Sequence, residues 1–241
     1  MTTHPSCGVE FVRETPIGFW FLGTETWAKH VVSVALNDLE RLIPERKSSY
    51  PIVLDAGCGQ GKSFRPLIEH FSPQRLIGVD AEEKCLQRAR MEASKESVPI
   101  DLRRRDIAAL DVADASVDLV FCHQTLHHLT RQEMALRQMH RVLKPGGLLL
   151  FAESTRAYIE SWLIRLLFRH PGHSQHSAAE YMAMLGAHGF IFGPENVSLP
   201  YLWWSRADLG AVEWLGFGVP AQREETLLNL VAVKPSDSGL A

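Results

Sequence analysis

Cysteine is scarce in this chain, and its placement excludes more than its number. Cys7, Cys58, Cys85 and Cys122 are far apart and form no Cys-x-x-Cys pair. That spacing argues against both a zinc knuckle and a disulfide framework and suits reduced thiols in a cytoplasmic protein. No segment is uniformly apolar over membrane-spanning length, and Met1 to Gly8 lacks a basic start followed by an apolar run. The expectation is a soluble protein without a transmembrane segment. A charge surplus is missing too: the formal net charge is −3, and basic residues cluster only at Arg103-Arg104-Arg105. There is then no broad electrostatic footprint for a nucleic-acid backbone. No linker or repeat divides the 241 residues, and 46% hydrophobic content is enough to bury one substantial core.

What is present is a strict alternation of short apolar runs with helical patterns from Ile52 onward. Ile52 to Leu54, Leu76 to Val79, Ile100 to Arg103, Val117 to Cys122 and Leu148 to Ala152 read as strands. Lys62 to Phe71, Glu82 to Glu96 and Gln132 to Leu143 read as the helices between them. Right-handed crossovers covering apolar sheet surface make this a doubly wound parallel sheet. Before it, Trp27, Val31, Val32, Ala35, Leu39 and Leu42 mark one helix face within Thr24 to Ile43, stopped by Pro44. After it, Ser177-Ala178-Ala179-Glu180 is a capping box, with Gly186 or Gly189 to close its helix. A short helix near Asp208 to Leu215 and strands at Val197 to Leu199 and Leu227 to Val233 follow. The expected division is an aromatic and helical cap over residues 1–50, a ligand-binding core over 51–155, and lid segments with the last strands of the same domain over 156–241.

The most informative segment is Leu54-Asp55-Ala56-Gly57-Cys58-Gly59-Gln60-Gly61-Lys62-Ser63, a strand ending in a carboxylate followed by alternate glycines and a helix start. Glycine there lets the backbone reach positive φ and bring its N–H groups against a ligand. Ala56 to Ser63 also fits a loose phosphate-binding loop. Against that reading, its first glycine is replaced by Ala56 and Asp55 would face phosphates. A dinucleotide fingerprint would need glycine where Lys62 stands. Asp80, about 20 residues beyond the turn at the end of the next strand, is placed to accept hydrogen bonds from ribose hydroxyls. Asp106 with aliphatic Ile107 suits an adenine, and Asp55 suits a cationic group. Asp55, Asp80, Asp106 and His123 each fall just past a strand's carboxyl end and should meet in one crevice.

Ribose, adenine and a cationic amino-acid end together describe S-adenosylmethionine, and here the sequence resembles the class I methyltransferases, in particular their type 11 methyltransferase-domain group. The resemblance runs in order through Val53 to Gly61, Gly78-Val79-Asp80, Arg105-Asp106-Ile107, Phe121 to Leu129 and Arg141 to Gly147. It implies a Rossmann-like seven-stranded sheet whose last strand is antiparallel, and an enzyme using S-adenosyl-L-methionine as cofactor. By position it implies that Gly57, Cys58 and Gly59 line the methionine portion, with Asp55 at its charged end. Asp80 with Ala81 holds the ribose, Asp106 and Ile107 contact the adenine, and His123 follows the strand facing the sulfonium. Lys62 and Ser63 then open a helix and need no phosphate.

His123 is the candidate catalytic residue, as histidine titrates near working pH; His127 and His128 are expected to fix the loop. His170, His173 and His176 invite a metal reading, but Pro171 and Gly172 break any helix that would align them, and no metal is expected. The flanking segments are rich in Trp, Phe, Leu and Tyr, so the acceptor is expected to be a small apolar or aromatic molecule. A tRNA or protein acceptor, and a non-catalytic cofactor-binding module, remain as alternatives. Phe19-Trp20-Phe21 either packs its helix on the core or covers a ligand. The Trp162 to Phe168 face serves packing, a homodimer contact, a substrate wall or a membrane surface.

Overall fold

The computed structural model describes residues 14–161, 164–165, 168, 175–206, 208–219 and 225–236. Trp162, Leu163, Leu166, Leu167, His170 and His173 lie outside the described residues, so the readings placed on them are not carried further. The elements in chain order are α1 (Pro16–Leu22), α2 (Glu25–Trp27), α3 (Ser33–Arg41), β1 (Ile52–Ala56), α4 (Phe64–Phe71), β2 (Arg75–Asp80), α5 (Glu83–Ala93), β3 (Ile100–Arg104) and β4 (Val117–His123). They continue with α6 (Gln132–Val142), β5 (Leu143–Ser154), α7 (Arg156–Ile159), α8 (Ala178–Ala187), β6 (Val197–Ser198), α9 (Ala211–Trp214) and β7 (Leu227–Val233).

The strands form one seven-stranded sheet in the order β3-β2-β1-β4-β5-β7-β6. β1 to β5 pair in parallel, while β7 runs antiparallel to both β5 and β6. The order reverses at β1, which lies between β2 and β4, and ligands of doubly wound sheets bind beyond the strand ends at such a switch point. Alternate strand residues separate two cores, as a period of two requires. Val53, Leu119 and Leu150 pack with Leu36 and Leu39 of α3, Leu67 of α4 and Leu86 of α5. Leu54, Val120 and Phe151 pack on the other face with Leu136 and Met139 of α6 and Tyr181 and Leu185 of α8.

The expected helix over Thr24 to Ile43 is continuous but not uniform. Thr24 caps α2 by accepting from Trp27 N–H at 3.2 Å, and a π turn over Ala28–Val32 joins α2 to α3. Ala28 O accepts both the backbone N–H of Ser33 and, at 2.9 Å, its Oγ, so one residue fastens the turn twice. The aromatic stretch upstream is itself helical: Thr15 caps α1 and Pro16 takes its first position. Within it Phe21 packs on Trp27 and Phe168, Phe19 lies under the Arg88 guanidinium, and Trp20 is exposed. The capping box at Ser177 and Glu180 forms with both of its hydrogen bonds. β5 is longer than its apolar run, reaching Ser154 because β7 pairs with it along Leu148 to Ser154. That extension carries Glu153 to the carboxyl end of the sheet.

Candidate functional site

A cleft of about 230 Å³ opens at the carboxyl ends of β1, β2 and β4. Asp55, Gly57, Cys58, Gly59, Asp80, Ala81, Asp106, Ile107 and His123 all line it. Residues spread over 69 positions of chain meet there because parallel strands deliver their ends to one edge.

The turn after β1 is shaped by two backbone constraints. Gly57 has φ +88° and a Cβ there would fall 2.3 Å from Thr125 Oγ1, so no other residue fits. Gly59, at φ +52°, faces open space, with nothing within 4 Å of an added Cβ. The N–H groups of Gly57 and Cys58 both donate to Val79 O, at 2.9 and 3.0 Å, which hooks the turn onto the end of β2. Asp80 completes the hook: Gly59 N–H donates to its Oδ2 at 2.9 Å and Glu82 N–H to its Oδ1 at 2.8 Å.

Two carboxyls are buried in this turn. Burial pushes Asp55 up to about 7 despite a hydrogen bond donated by Ser63 Oγ, and the nearby Asp80 charge adds to the rise. Asp80 is pushed up to about 6 by burial, with the backbone N–H groups of Glu82, Gly59 and Ala81 opposing. A pair of buried carboxyls with raised values is a site that favours a cation. Lys62 does not fill that role. Its Nζ donates to Glu25 at 2.8 Å and Glu92 at 3.0 Å, tying α2 to α5, so the lysine that a phosphate loop would aim at its ligand is held by carboxylates.

Asp106 accepts from Ala108 N–H at 2.8 Å and pairs with Arg131, with Ile107 buried beside it. His123 stacks on Phe121 at 5.6 Å with an interplanar angle of 7°, and Trp27 closes its other side at 5.8 Å. Burial pushes this imidazole down to about 3, with His127 contributing, so it is neutral at ordinary pH and a weak base. Leu22, Trp27, Ile164, Phe168, Tyr158 and Trp204 give the cleft an apolar rim.

Glu153 is the residue that the strand-by-strand reading passed over. It is fully buried, and its Oε1 accepts from the N–H groups of Thr125 at 2.8 Å and Leu126 at 2.6 Å while its Oε2 meets His127 Nδ1 at 2.5 Å. One carboxylate thereby organises the whole segment after β4. The signal was available: a carboxylate near a strand's carboxyl end, the rule that singled out Asp55 and Asp80. Among the described residues no group of three His, Cys, Asp or Glu is arranged to hold a metal ion, and no helix is long and apolar enough to cross a membrane.

Sheet order, switch-point cleft and carboxylate-capped glycine turn define a doubly wound α/β protein built to hold a nucleoside-like ligand. Residues 54–151 match the family described as methyltransferase domain. A probable methyltransferase of Aspergillus luteorubrus is 35% identical over 125 residues, covering 48% of this chain and 42% of the relative. An S-adenosyl-L-methionine-dependent Diels-Alderase of Talaromyces variabilis is 36% identical over 108 residues, covering 43% of this chain and 36% of the relative. The solved S-adenosylmethionine-dependent methyltransferase of Mesorhizobium loti superposes with a TM-score of 0.59 at 23% identity, covering 82% of this chain and 96% of that one, a likeness of fold. Over residues 54–151 the chain is similar to the methyltransferase-domain family and to these relatives, and its fold is that of the solved S-adenosylmethionine-dependent methyltransferase. It spans less than half the length of these curated relatives.

Proposed function

We propose that this chain transfers the methyl group of S-adenosyl-L-methionine to a small apolar or aromatic molecule. The observation that carries the reading is the pair of buried carboxyls, Asp55 and Asp80, flanking a glycine turn with open space at Gly59. That combination fits a nucleoside with a cationic amino-acid end and opposes a polyphosphate. In this reading Asp80 with Ala81 holds the ribose hydroxyls and Asp106 with Ile107 the adenine. Gly57, Cys58 and Gly59 flank the methionine portion, Asp55 lies nearest its ammonium, and neutral His123 walls the reacting end.

When bound, the cofactor supplies a methyl carbon already activated by a sulfonium. The chain's task is then alignment and exclusion of water. Holding two reactants in line is worth on the order of 7 kcal/mol or more. The rim of Trp27, Phe168, Tyr158 and Trp204 keeps the crevice dry, which favours a charge-neutralising displacement. In this reading the described residues of the 1–50 and 156–241 segments act as cap and lid around the 51–155 core, and the reduced thiols suit a cytoplasmic setting.

A second reading is favoured by the low basicity of His123 and by the likeness to the Talaromyces Diels-Alderase: the chain holds the cofactor while promoting chemistry other than methyl transfer. Calorimetry with S-adenosylhomocysteine, followed by incubation of a whole-cell extract with methyl-labelled cofactor, decides among these. Heat together with label in an organic-soluble product supports the proposal. Heat without label supports the second reading, label in RNA or protein supports a macromolecular acceptor, and no heat removes the cofactor from the account.

A further inference from the structure

A second cavity of about 280 Å³ lies behind the cofactor cleft, between α3, the start of β7 and the segment from Ser198 to Trp204. The two spaces have three residues in common, His123, Gln124 and Trp204. A molecule in the second cavity therefore meets the first through this shared wall, at the side chain that closes β4.

Gln124 is the unusual member. It is a non-glycine residue at φ +50°, a conformation that L side chains rarely adopt and that persists only where its surroundings enforce it. Two contacts enforce it. Its backbone N–H donates to Ala152 O at 2.8 Å, and its side-chain Oε1 accepts from Ser154 Oγ at 2.5 Å. With the carboxamide oxygen engaged, the amide nitrogen is left to donate at the junction of the two spaces.

The chemistry of the far wall is equally specific. Val31, Val34, Pro200, Leu202 and Leu227 make it mainly apolar, as a ring compound requires. Its polar residues are Ser198, Tyr201, Asn229 and Asp38, the last of which accepts from Asn229 Nδ2 at 2.8 Å and is paired with Arg41 at 2.6 Å. Because Arg41 neutralises that carboxylate, the cavity offers hydrogen-bonding capacity without net charge. A neutral occupant with hydroxyl groups is matched, and an anionic or cationic one is not.

We propose that this second cavity is the acceptor's pocket and that Gln124 is the positioning residue that turns a neutral hydroxylated ring compound toward the cofactor cleft. The inference rests on the methyl-transfer reading for what happens at the cleft, but the pocket itself is tested by binding alone. The probes are naphthol, unsubstituted naphthalene and naphthoate, measured by ligand-observed NMR against the full chain saturated with S-adenosylhomocysteine.

Naphthol binds, naphthalene binds about tenfold more weakly for want of one net hydrogen bond, and the charged naphthoate does not bind. Val34→Phe, which fills the pocket from α3, abolishes naphthol binding while S-adenosylhomocysteine affinity stays within about twofold. Gln124→Asn tolerates the left-handed backbone but withdraws the amide by one methylene, and lowers naphthol affinity by about tenfold. A circular-dichroism melt of each variant confirms that it is folded. Naphthol binding at wild-type strength in folded Val34→Phe overturns the pocket, and unchanged affinity in Gln124→Asn overturns the role of that residue. Naphthol silent beside bound S-adenosylhomocysteine also overturns the pocket. Naphthol binding sensitive to Val34→Phe in a chain that ignores S-adenosylhomocysteine upholds the pocket and overturns the methyl-transfer reading instead.

Discussion

Asp80 joins two tasks in one side chain, since both its oxygens already serve backbone amides of the turn while the same carboxyl lines the cleft. Its replacement separates structure from recognition. Asp80→Ala is expected to weaken S-adenosylhomocysteine binding by about 1.5–3 kcal/mol, roughly 10- to 150-fold, the worth of hydrogen bonds to a charged acceptor. The fold should survive at reduced stability, because the N–H groups of Gly59 and Glu82 lose their acceptor in a turn that opens to the cleft. Titration calorimetry with a parallel thermal melt checks both parts; unchanged affinity would mean that the ribose is held elsewhere. At this scale much was legible. Asp55, Asp80, Asp106 and His123 announce themselves by following apolar runs, whereas Glu153 hides behind the continuation of β5, a boundary set by pairing with β7.

At the scale of elements, the segment from Gln124 to His128 is the piece whose shape decides the site. It has little regular structure beyond one short 3-10 turn over Leu126–His128, and its backbone is positioned from outside by Glu153. Removing that carboxylate takes the acceptor from the N–H groups of Thr125 and Leu126 and breaks the contact with His127 Nδ1. Glu153→Ala should therefore cost on the order of 3 kcal/mol of stability, read from the midpoint of urea unfolding. The slope of that transition should be unchanged if only this loop is released. A loss below about 0.5 kcal/mol, typical of an ordinary surface position, would show that the loop is held by something else. Helix periodicity located α3 and α6, since each buries one face on the sheet, and the capping box located α8. The π turn before α3 has no counterpart in the apolar pattern, because it is a matter of how the backbone ladder closes around Ser33.

For the whole molecule, the buried carboxyls couple folding, ligand and pH. Asp55 and Asp80 rise from 3.8 in the unfolded chain to about 7 and about 6 when folded. The folded chain thus holds protons that the unfolded chain has released, so their contribution to stability is complete below about pH 4 and is lost as pH climbs through about 6 and about 7. A cationic ligand acts in the opposite sense, favouring both ionised forms. The rise in Tm produced by saturating S-adenosylmethionine should therefore grow between about pH 5 and about pH 7.5, while the ligand-free melt gains no stability from these two groups over that interval. Thermal melts with and without ligand across this range measure it. A ligand-induced rise that is flat with pH would remove Asp55 and Asp80 from the recognition of positive charge.

The order of apolar runs, the glycines after β1 and the carboxylates at strand ends were set by local chemistry, and they sufficed for the doubly wound architecture and the nature of the cofactor. Such features are readable because strand period, turn conformation and crossover handedness act within a few residues or one supersecondary unit. Only the tertiary structure decided that Gln124 adopts positive φ, that Glu153 holds the loop after β4, and that α3, β7 and the Ser198 to Trp204 segment enclose a second cavity. Those outcomes depend on which distant surfaces come into contact, as with Asn229 of β7 meeting Asp38 of α3 across 191 positions of chain. Contacts of that separation leave no period or spacing for a sequence to display.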